Sequence, residues 1–327
     1  MALLAWVLHR INLREVWEYA QHANGLLLLL TVVVATITFP IRTLRWRLIL
    51  RDPGGGRLPL AQLWHATTIG FIANNLLPAR AGEVVRAYVA AQQLPVRFTT
   101  ALVSLVVERV FDGMMLLALM AVAIAAPSFP AHALVGDRSL AAIAISAGVL
   151  FTLLLLLALF VANRPKFWLA LVERLSRRLL PVSLADRSVG IADGIVEGLL
   201  PLRSPARFLG VILWSLLLWL KNAAAFAICF KAFGLDVPIE AALLLQGIIG
   251  FGVAVPSTPG YVGVFEAAAL VTLGFYGVDS SLAAAYALTY HVTTFIPITL
   301  LGFWSLSRLH LGLREVRSAA ARGEERS

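Results

Sequence analysis

The chain has 327 residues, of which 60% are hydrophobic and 14% charged, and its mean hydropathy is +0.85. That balance excludes a soluble globular domain, a disordered chain and a collagen-like chain, and requires an integral membrane protein. The lone cysteine, Cys229, leaves no internal disulfide or redox pair, and the net charge of +9, carried mostly by scattered arginines, suits cytoplasmic loops facing an anionic leaflet better than nucleic acid.

In chain order, Ala2 to Leu8 is apolar but has only about a third of the roughly 20 residues a spanning helix needs. It lacks the basic region and cleavage site of a signal peptide, and reads as a vestigial first helix. Residues 10–22 set Ile11, Leu13, Val16 and Trp17 among Arg14, Glu15 and Glu18, the pattern of a helix lying in the membrane interface. Segments 23–41, 113–136, 139–163, 241–265 and 280–307 contain no Asp, Glu, Lys or Arg, so each is expected to enter or span the bilayer. Two more apolar stretches, 98–126 and 207–231, carry embedded polar groups: Glu108, Arg109 and Asp112 in the first, Lys221 and Asn222 in the second. Continuous runs such as Leu26–Leu30 and Leu153–Leu157 exclude the alternation of a transmembrane barrel. The predicted fold class is therefore all-α, a polytopic helix bundle. Trp46, Trp64, Trp168 and Trp304 are expected in the interfacial belts.

Two apolar stretches share a layout. Pro59, Ile69-Gly70-Phe71 and Pro78-Ala-Arg-Ala-Gly82 recur as Pro238, Ile249-Gly250-Phe251 and Pro259-Gly-Tyr-Val-Gly263. The order predicts an internal repeat in which Pro78, Gly82, Pro259, Gly260 and Gly263 break helices at membrane depth. Such backbone is tolerated only beside protein or a watery cavity, the pointer to a transporter-type site between two halves. Two passively kinked spans remain the alternative. If each break re-enters the face it left, 21 of the 27 basic residues fall on the cytoplasmic side, and the repeats become inverted. The expected organisation is an interfacial segment 1–22, a first membrane repeat 23–126, a connecting span and cytoplasmic amphipathic segment 127–206, a second repeat 207–307 and a basic tail 308–327.

Arg80, Glu83 and Arg86, just after the first break, would put two guanidiniums at a helix N-terminus, either as a lipid-phosphate site or as ordinary juxtamembrane cations. Asn75 and its neighbour Asn74 are amides that need partners in an apolar helix. Glu108, Arg109 and Asp112 share one helix face, as a cavity wall or as an internal ion pair. Glu266 follows Gly263 by three residues, Lys221 is positioned to pair with it or to snorkel, and His291 lies on a flanking span. No metal-ligand cluster, nucleophile elbow or P-loop occurs in the sequence, so neither a metal nor a cofactor is expected.

Asn75-Leu-Leu-Pro-Ala-Arg-Ala-Gly-Glu-Val-Val-Arg86, Val107-Glu-Arg-Val-Phe-Asp112 and Pro256-Ser-Thr-Pro-Gly-Tyr-Val-Gly-Val-Phe-Glu266 together resemble the family of the lysylphosphatidylglycerol synthase transmembrane region. The resemblance runs from about Leu13 to Leu309. It implies a flippase-like helical domain, with relatives in aminoacylation of phosphatidylglycerol, polyprenyl-phosphate glycosylation and hopanoid metabolism. Pro78, Arg80, Gly82, Glu83, Arg86, Glu108, Arg109, Asp112, Pro259, Gly260, Gly263 and Glu266 carry over by motif. The first helix of the family is only a stub here, and the soluble acyltransferase-like domain that transfers the amino acid is not in this sequence, so aminoacyl transfer by this chain alone is not expected.

The leading expectation is a multi-pass carrier in the plasma membrane, a bacterial inner membrane, that moves an anionic phospholipid or lipid-linked intermediate between leaflets. It would bind lipid and not nucleic acid, alone or with an enzyme of a lipid pathway. A membrane-embedded transferase or accessory subunit, with Glu108 or Glu266 as general base, is the alternative; an ion-coupled small-solute transporter is a third.

Overall fold

Residues 6, 11–77, 81–129, 134–135, 138–253 and 258–311 are described by a computed structural model. Pro78 and Arg80, nearly all of the 2–8 stub and most of the basic tail lie outside the described residues.

The chain is an all-α bundle. Its helices are α1 (Leu13–His22), α2 (Gly25–Thr36), α3 (Thr38–Ile49), α4 (Leu60–Leu76), α5 (Ala81–Gln93), α6 (Phe98–Ala125), α7 (Leu140–Asn163), α8 (Pro165–Leu179), α9 (Val182–Leu199), α10 (Pro205–Ala232), α11 (Glu240–Gly252), α12 (Val264–Phe275) and α13 (Ser280–Arg308). Two two-residue strands, Leu134–Val135 and Arg138–Ser139, pair antiparallel between α6 and α7. Four segments are long and apolar enough to cross a membrane: Gly25–Ile49, Ala142–Asn163, Pro205–Ala232 and Ser280–Arg308.

Proline marks the breaks. Pro40 has no N–H to offer the carbonyl of Thr36, which divides the first span into α2 and α3 and lets α3 turn its arginines inward. Ala126, extended before Pro127, ends α6. This corrects the separate readings of 98–126 and 113–136: one 28-residue helix carries the charged residues and stops at Ala125. Its length of about 42 Å at 1.5 Å per residue exceeds the hydrocarbon core.

Helices α4 and α5 form an antiparallel hairpin held by backbone contact. A Cβ on Gly82 would sit 2.0 Å from the Gly70 carbonyl oxygen, and one on Gly70 would sit 2.8 Å from the Gly82 carbonyl oxygen. Gly82 therefore differs from the expectation. It lies in the first turn of α5, and what demands glycine there is close packing, not positive φ. In the second hairpin, α11 and α12 flank a short 3-10 turn, Pro259–Tyr261, where Gly260 (φ 64°), Tyr261 (φ 62°) and Gly263 (φ 87°) are all left-handed. The second break approaches the C-terminal end of α4, because Gly260 packs against the Asn75 backbone carbonyl.

The connecting segment contains α8 and α9. α9 docks along α6, where Gly194 and Gly198 fit against Thr99 and Val103, Thr100 Oγ1 donates to Glu197 at 2.8 Å and Arg97 pairs with Asp193. That exposed pairing holds the Arg97 guanidinium above its ordinary pKa, chiefly through its hydrogen bond to Asp193. α7, by contrast, presents an almost continuous apolar surface, the form of a lipid-facing span.

Candidate functional site

The site is built around two carboxylates four residues apart on α6. Glu108 and Asp112 are both buried, and four arginines converge on them. Arg42 and Arg45, one turn apart on α3, reach Glu108 at 3.2 and 3.1 Å and Asp112 at 3.4 and 2.5 Å. Arg86 of α5 grips both Glu108 oxygens at 3.1 and 3.3 Å. Arg109 lies 2.8 Å from Glu108, 3.2 Å from Asp112 and 3.5 Å from Glu83. α10 completes the shell: Arg45 donates to Ser215 Oγ at 2.9 Å and Trp219 Nε1 donates to Asp112 at 3.0 Å.

Among the described residues, four guanidiniums thus share two buried carboxylates, with Glu83 at the edge. The knot carries an excess of positive charge in the interior of the bundle, where charge is costly unless paired. Nε of Arg42, Arg45, Arg86 and Arg109 all lack a hydrogen-bond partner. Glu108 Oε1 is touched by all four arginines, which leaves it no vacancy for the proton that a general base must take.

Arg42, Arg86, Arg109 and Glu83 open onto a cavity of about 280 Å³. Its other wall comes from the second half of the chain: Trp219 and Asn222 of α10, Ile249 of α11, Tyr261 of the turn, Phe265 of α12 and His291 of α13. Aromatic faces border the cations, with Arg42 over Phe71 and Trp219 at 5.4 and 5.9 Å. The arrangement can hold an anion without supplying a nucleophile or a metal. No cluster of metal-ligating side chains occurs among the described residues.

The remaining predicted residues separate by environment. Arg86 is buried against Glu108 and stacked 4.0 Å over Trp46, so it is not an open juxtamembrane cation. Trp46 is itself fully buried, donating to Ser104 Oγ at 2.8 Å; an indole can fill a core once its N–H is satisfied, and the interfacial expectation for it was wrong. Asn74 Oδ1 accepts from Gly82 N at 2.9 Å and caps α5, while Asn75 Nδ2 donates to Thr299 Oγ1 at 3.1 Å and ties the first hairpin to α13. Lys221 does not meet Glu266: its Nζ donates to the Ala35 carbonyl at 3.2 Å, in the last turn of α2. Glu266 instead accepts from Gly263 N at 2.6 Å, closing the start of α12, and meets His291 Nδ1 at 2.6 Å.

Arg42, Arg45, Ser215 and Trp219 were not singled out by sequence reasoning. Arg42 and Arg45 follow an uncharged run and read as cytoplasmic flank. The available signal was Pro40 beside two arginines three apart, a spacing that puts both on one face of a helix restarted by the proline.

The sequence profile of the lysylphosphatidylglycerol synthase transmembrane region matches residues 1–302. Two membrane proteins of the UPF0104 group from Methanothermobacter thermautotrophicus are 28% and 25% identical, with 92% of this chain aligned to 88% and 90% of theirs. The glycosyltransferase AglD of Haloferax volcanii is 27% identical over 97% of this chain, which spans 54% of that protein. No solved structure matches significantly. With the profile covering nearly the whole chain and several apolar spans in the fold, this is a multi-pass membrane protein that belongs to the family of the lysylphosphatidylglycerol synthase transmembrane region.

Proposed function

We propose that this chain is a carrier for a phosphate-bearing anionic lipid, passing the headgroup between the two broken hairpins while the acyl chains stay in the bilayer. The observation that carries the reading is the surplus of guanidinium on a cavity shared by α3, α5, α6, α10 and α13. Guanidinium forks match phosphate oxygens, and in a low-dielectric wall their attraction is little screened. A cavity of about 280 Å³ falls just below the range of drug-sized ligand sites, which starts at about 300 Å³. That suits a headgroup, not a whole lipid. The arginine bias of the segments flanking the spans supports a plasma-membrane location with 164–207 and the C-terminus inside, and the two hairpins would form an inverted pair.

A second reading is favoured by the likeness to a glycosyltransferase over almost the entire chain: the carrier would work with, or as part of, an enzyme of glycolipid metabolism. Both readings ask the cavity to hold a lipid phosphate. The test is translocation of fluorescent lipids by the purified full chain in vesicles. Phosphatidylglycerol should cross faster than phosphatidylcholine, and Arg42→Met should remove the difference. Equal rates for the two lipids, or no transfer above protein-free vesicles, would overturn the carrier reading.

A further inference from the structure

His291 occupies the junction between α13 and the second break. Its Nε2 lies 2.8 Å from the carbonyl oxygen of Gly260, and its Nδ1 lies 2.6 Å from Glu266 Oε1. The other Glu266 oxygen accepts from Gly263 N. One side-chain pair therefore ties both left-handed glycines of the break to the spanning helix.

Hydrogen counting fixes the protonation of this arrangement. A carbonyl can only accept, so Nε2 must carry a proton. The Nδ1 contact then needs a second proton, either on Nδ1 facing a carboxylate or on Glu266 facing a bare Nδ1. Remove that proton and one contact must fail whichever tautomer remains. With Nε2–H kept, the Nδ1 lone pair faces carboxylate oxygen; with Nδ1–H kept, the Nε2 lone pair faces the Gly260 carbonyl.

We propose that His291 and Glu266 form a proton-binding site whose occupancy latches the Pro259–Gly263 break to α13, and that the proton travels with the anionic headgroup. The latch stands on its own geometry; the coupling rests on the carrier reading above. Losing the proton to cavity water releases the break. Binding an anion in the shared cavity favours the protonated pair, and by linkage the proton favours the anion. One proton with one phosphodiester moves no net charge.

The charged and titratable groups around His291 are consistent with this role. Glu266 comes from α12, Tyr261 from the turn and Tyr290 from α13 itself. Arg42 of α3, Glu83 and Arg86 of α5 and Arg109 of α6 share its cavity, so a headgroup bound among the arginines is felt at the pair. Lys221 of α10 is engaged at the Ala35 carbonyl, and His65 of α4 meets Ser305, fourteen residues further along α13. α2 carries no titratable side chain, and α1 meets α13 at Ser281.

The experiment uses the full chain with Cys229→Ala, spin-labelled at Val262→Cys and Leu300→Cys, both exposed positions, in phosphatidylcholine nanodiscs. The pH is stepped from about 5 to about 9. The label distance should shift as pH rises. Glu266→Gln, whose amide can accept from Gly263 and donate to Nδ1 without a titrating proton, should hold the low-pH distance throughout, and His291→Ala should hold the high-pH distance. The same variants in vesicles, without labels, should show phosphatidylglycerol transfer that follows an imposed pH gradient in the parent and loses that response in Glu266→Gln. A label distance blind to pH, or Glu266→Gln titrating like its parent, overturns the latch. Lipid transfer absent throughout while the label distances still respond would remove the carrier reading and leave the latch standing.

Discussion

Glu108→Gln should be the most damaging single change in the charged knot and Arg109→Met among the mildest, although the two side chains touch. Glu108 Oε1 lies 2.8 to 3.2 Å from nitrogens of four arginines, with the side chain wholly enclosed. A unit-charge pair about 4 Å apart at an effective dielectric of about 20 is worth about 4 kcal/mol. Glutamine cancels four such attractions together and turns amide N–H groups toward donors. Relief of carboxylate desolvation offsets most of that gross loss, leaving a net cost on the order of 3 to 5 kcal/mol, the range for a broken buried pair. Arg109 is one-third exposed. Its loss removes attractions to Glu108, Asp112 and Glu83 but also its repulsion of Arg42, Arg45 and Arg86, so the net effect should stay within about 1 kcal/mol.

In a chain of this size the first change should lower the melting temperature in detergent by roughly 10 °C and the second by no more than about 3 °C. Size-exclusion of a fluorescent fusion after graded heating reads both. Equal losses, or a Glu108→Gln variant melting beside the wild type, would show that the carboxylate is not the centre of the knot.

Other outcomes follow from particular contacts. Gly82→Ala should cost about 1 to 3 kcal/mol, because its Cβ meets the Gly70 carbonyl oxygen at 2.0 Å and backbone cannot step aside; Gly190→Ala, with open space around it, is the control, and both are read by the same melt. Arg187→Cys in a Cys229→Ala background should resist an impermeant external thiol reagent in intact cells and react once the membrane is opened; strong labelling of intact cells would reverse the topology. Arg42→Met should abolish the headgroup preference of lipid transfer while the protein still folds, since Arg45, Arg86 and Arg109 continue to neutralise Glu108 and Asp112.

The bundle was legible because hydropathy and charge are strong, local signals: uncharged runs marked α2, α7 and α13, and Pro259 with Gly263 marked the second turn. Spacing alone also placed Glu108 and Asp112 on one face. What it could not supply was the partner set. Arg42 and Arg45 are separated from Asp112 by about seventy residues, and apart from Pro40 nothing local distinguishes an arginine that turns inward from one that meets lipid headgroups. Trp46 was misplaced for the same reason: its residue type is common at the interface, and it became core only because Ser104 and the stacked Arg86 satisfied it. Spacing alone had also made Arg109 the natural counter-ion of its neighbours, whereas three further arginines leave it the most replaceable of the four.

Four arginines around two carboxylates are more than charge pairing requires, and each buried guanidinium without a full complement of acceptors lowers stability. If the knot served folding alone, fewer cations or an apolar replacement would serve better. The excess makes physical sense when an anion visits the cavity and leaves again, because full neutralisation by fixed carboxylates would abolish affinity and a deeper surplus would prevent release. On the carrier reading, Glu108 and Asp112 hold the arginines in place and weaken their grip, while the hairpins that meet at Asn75 and Gly260 supply the parts able to move.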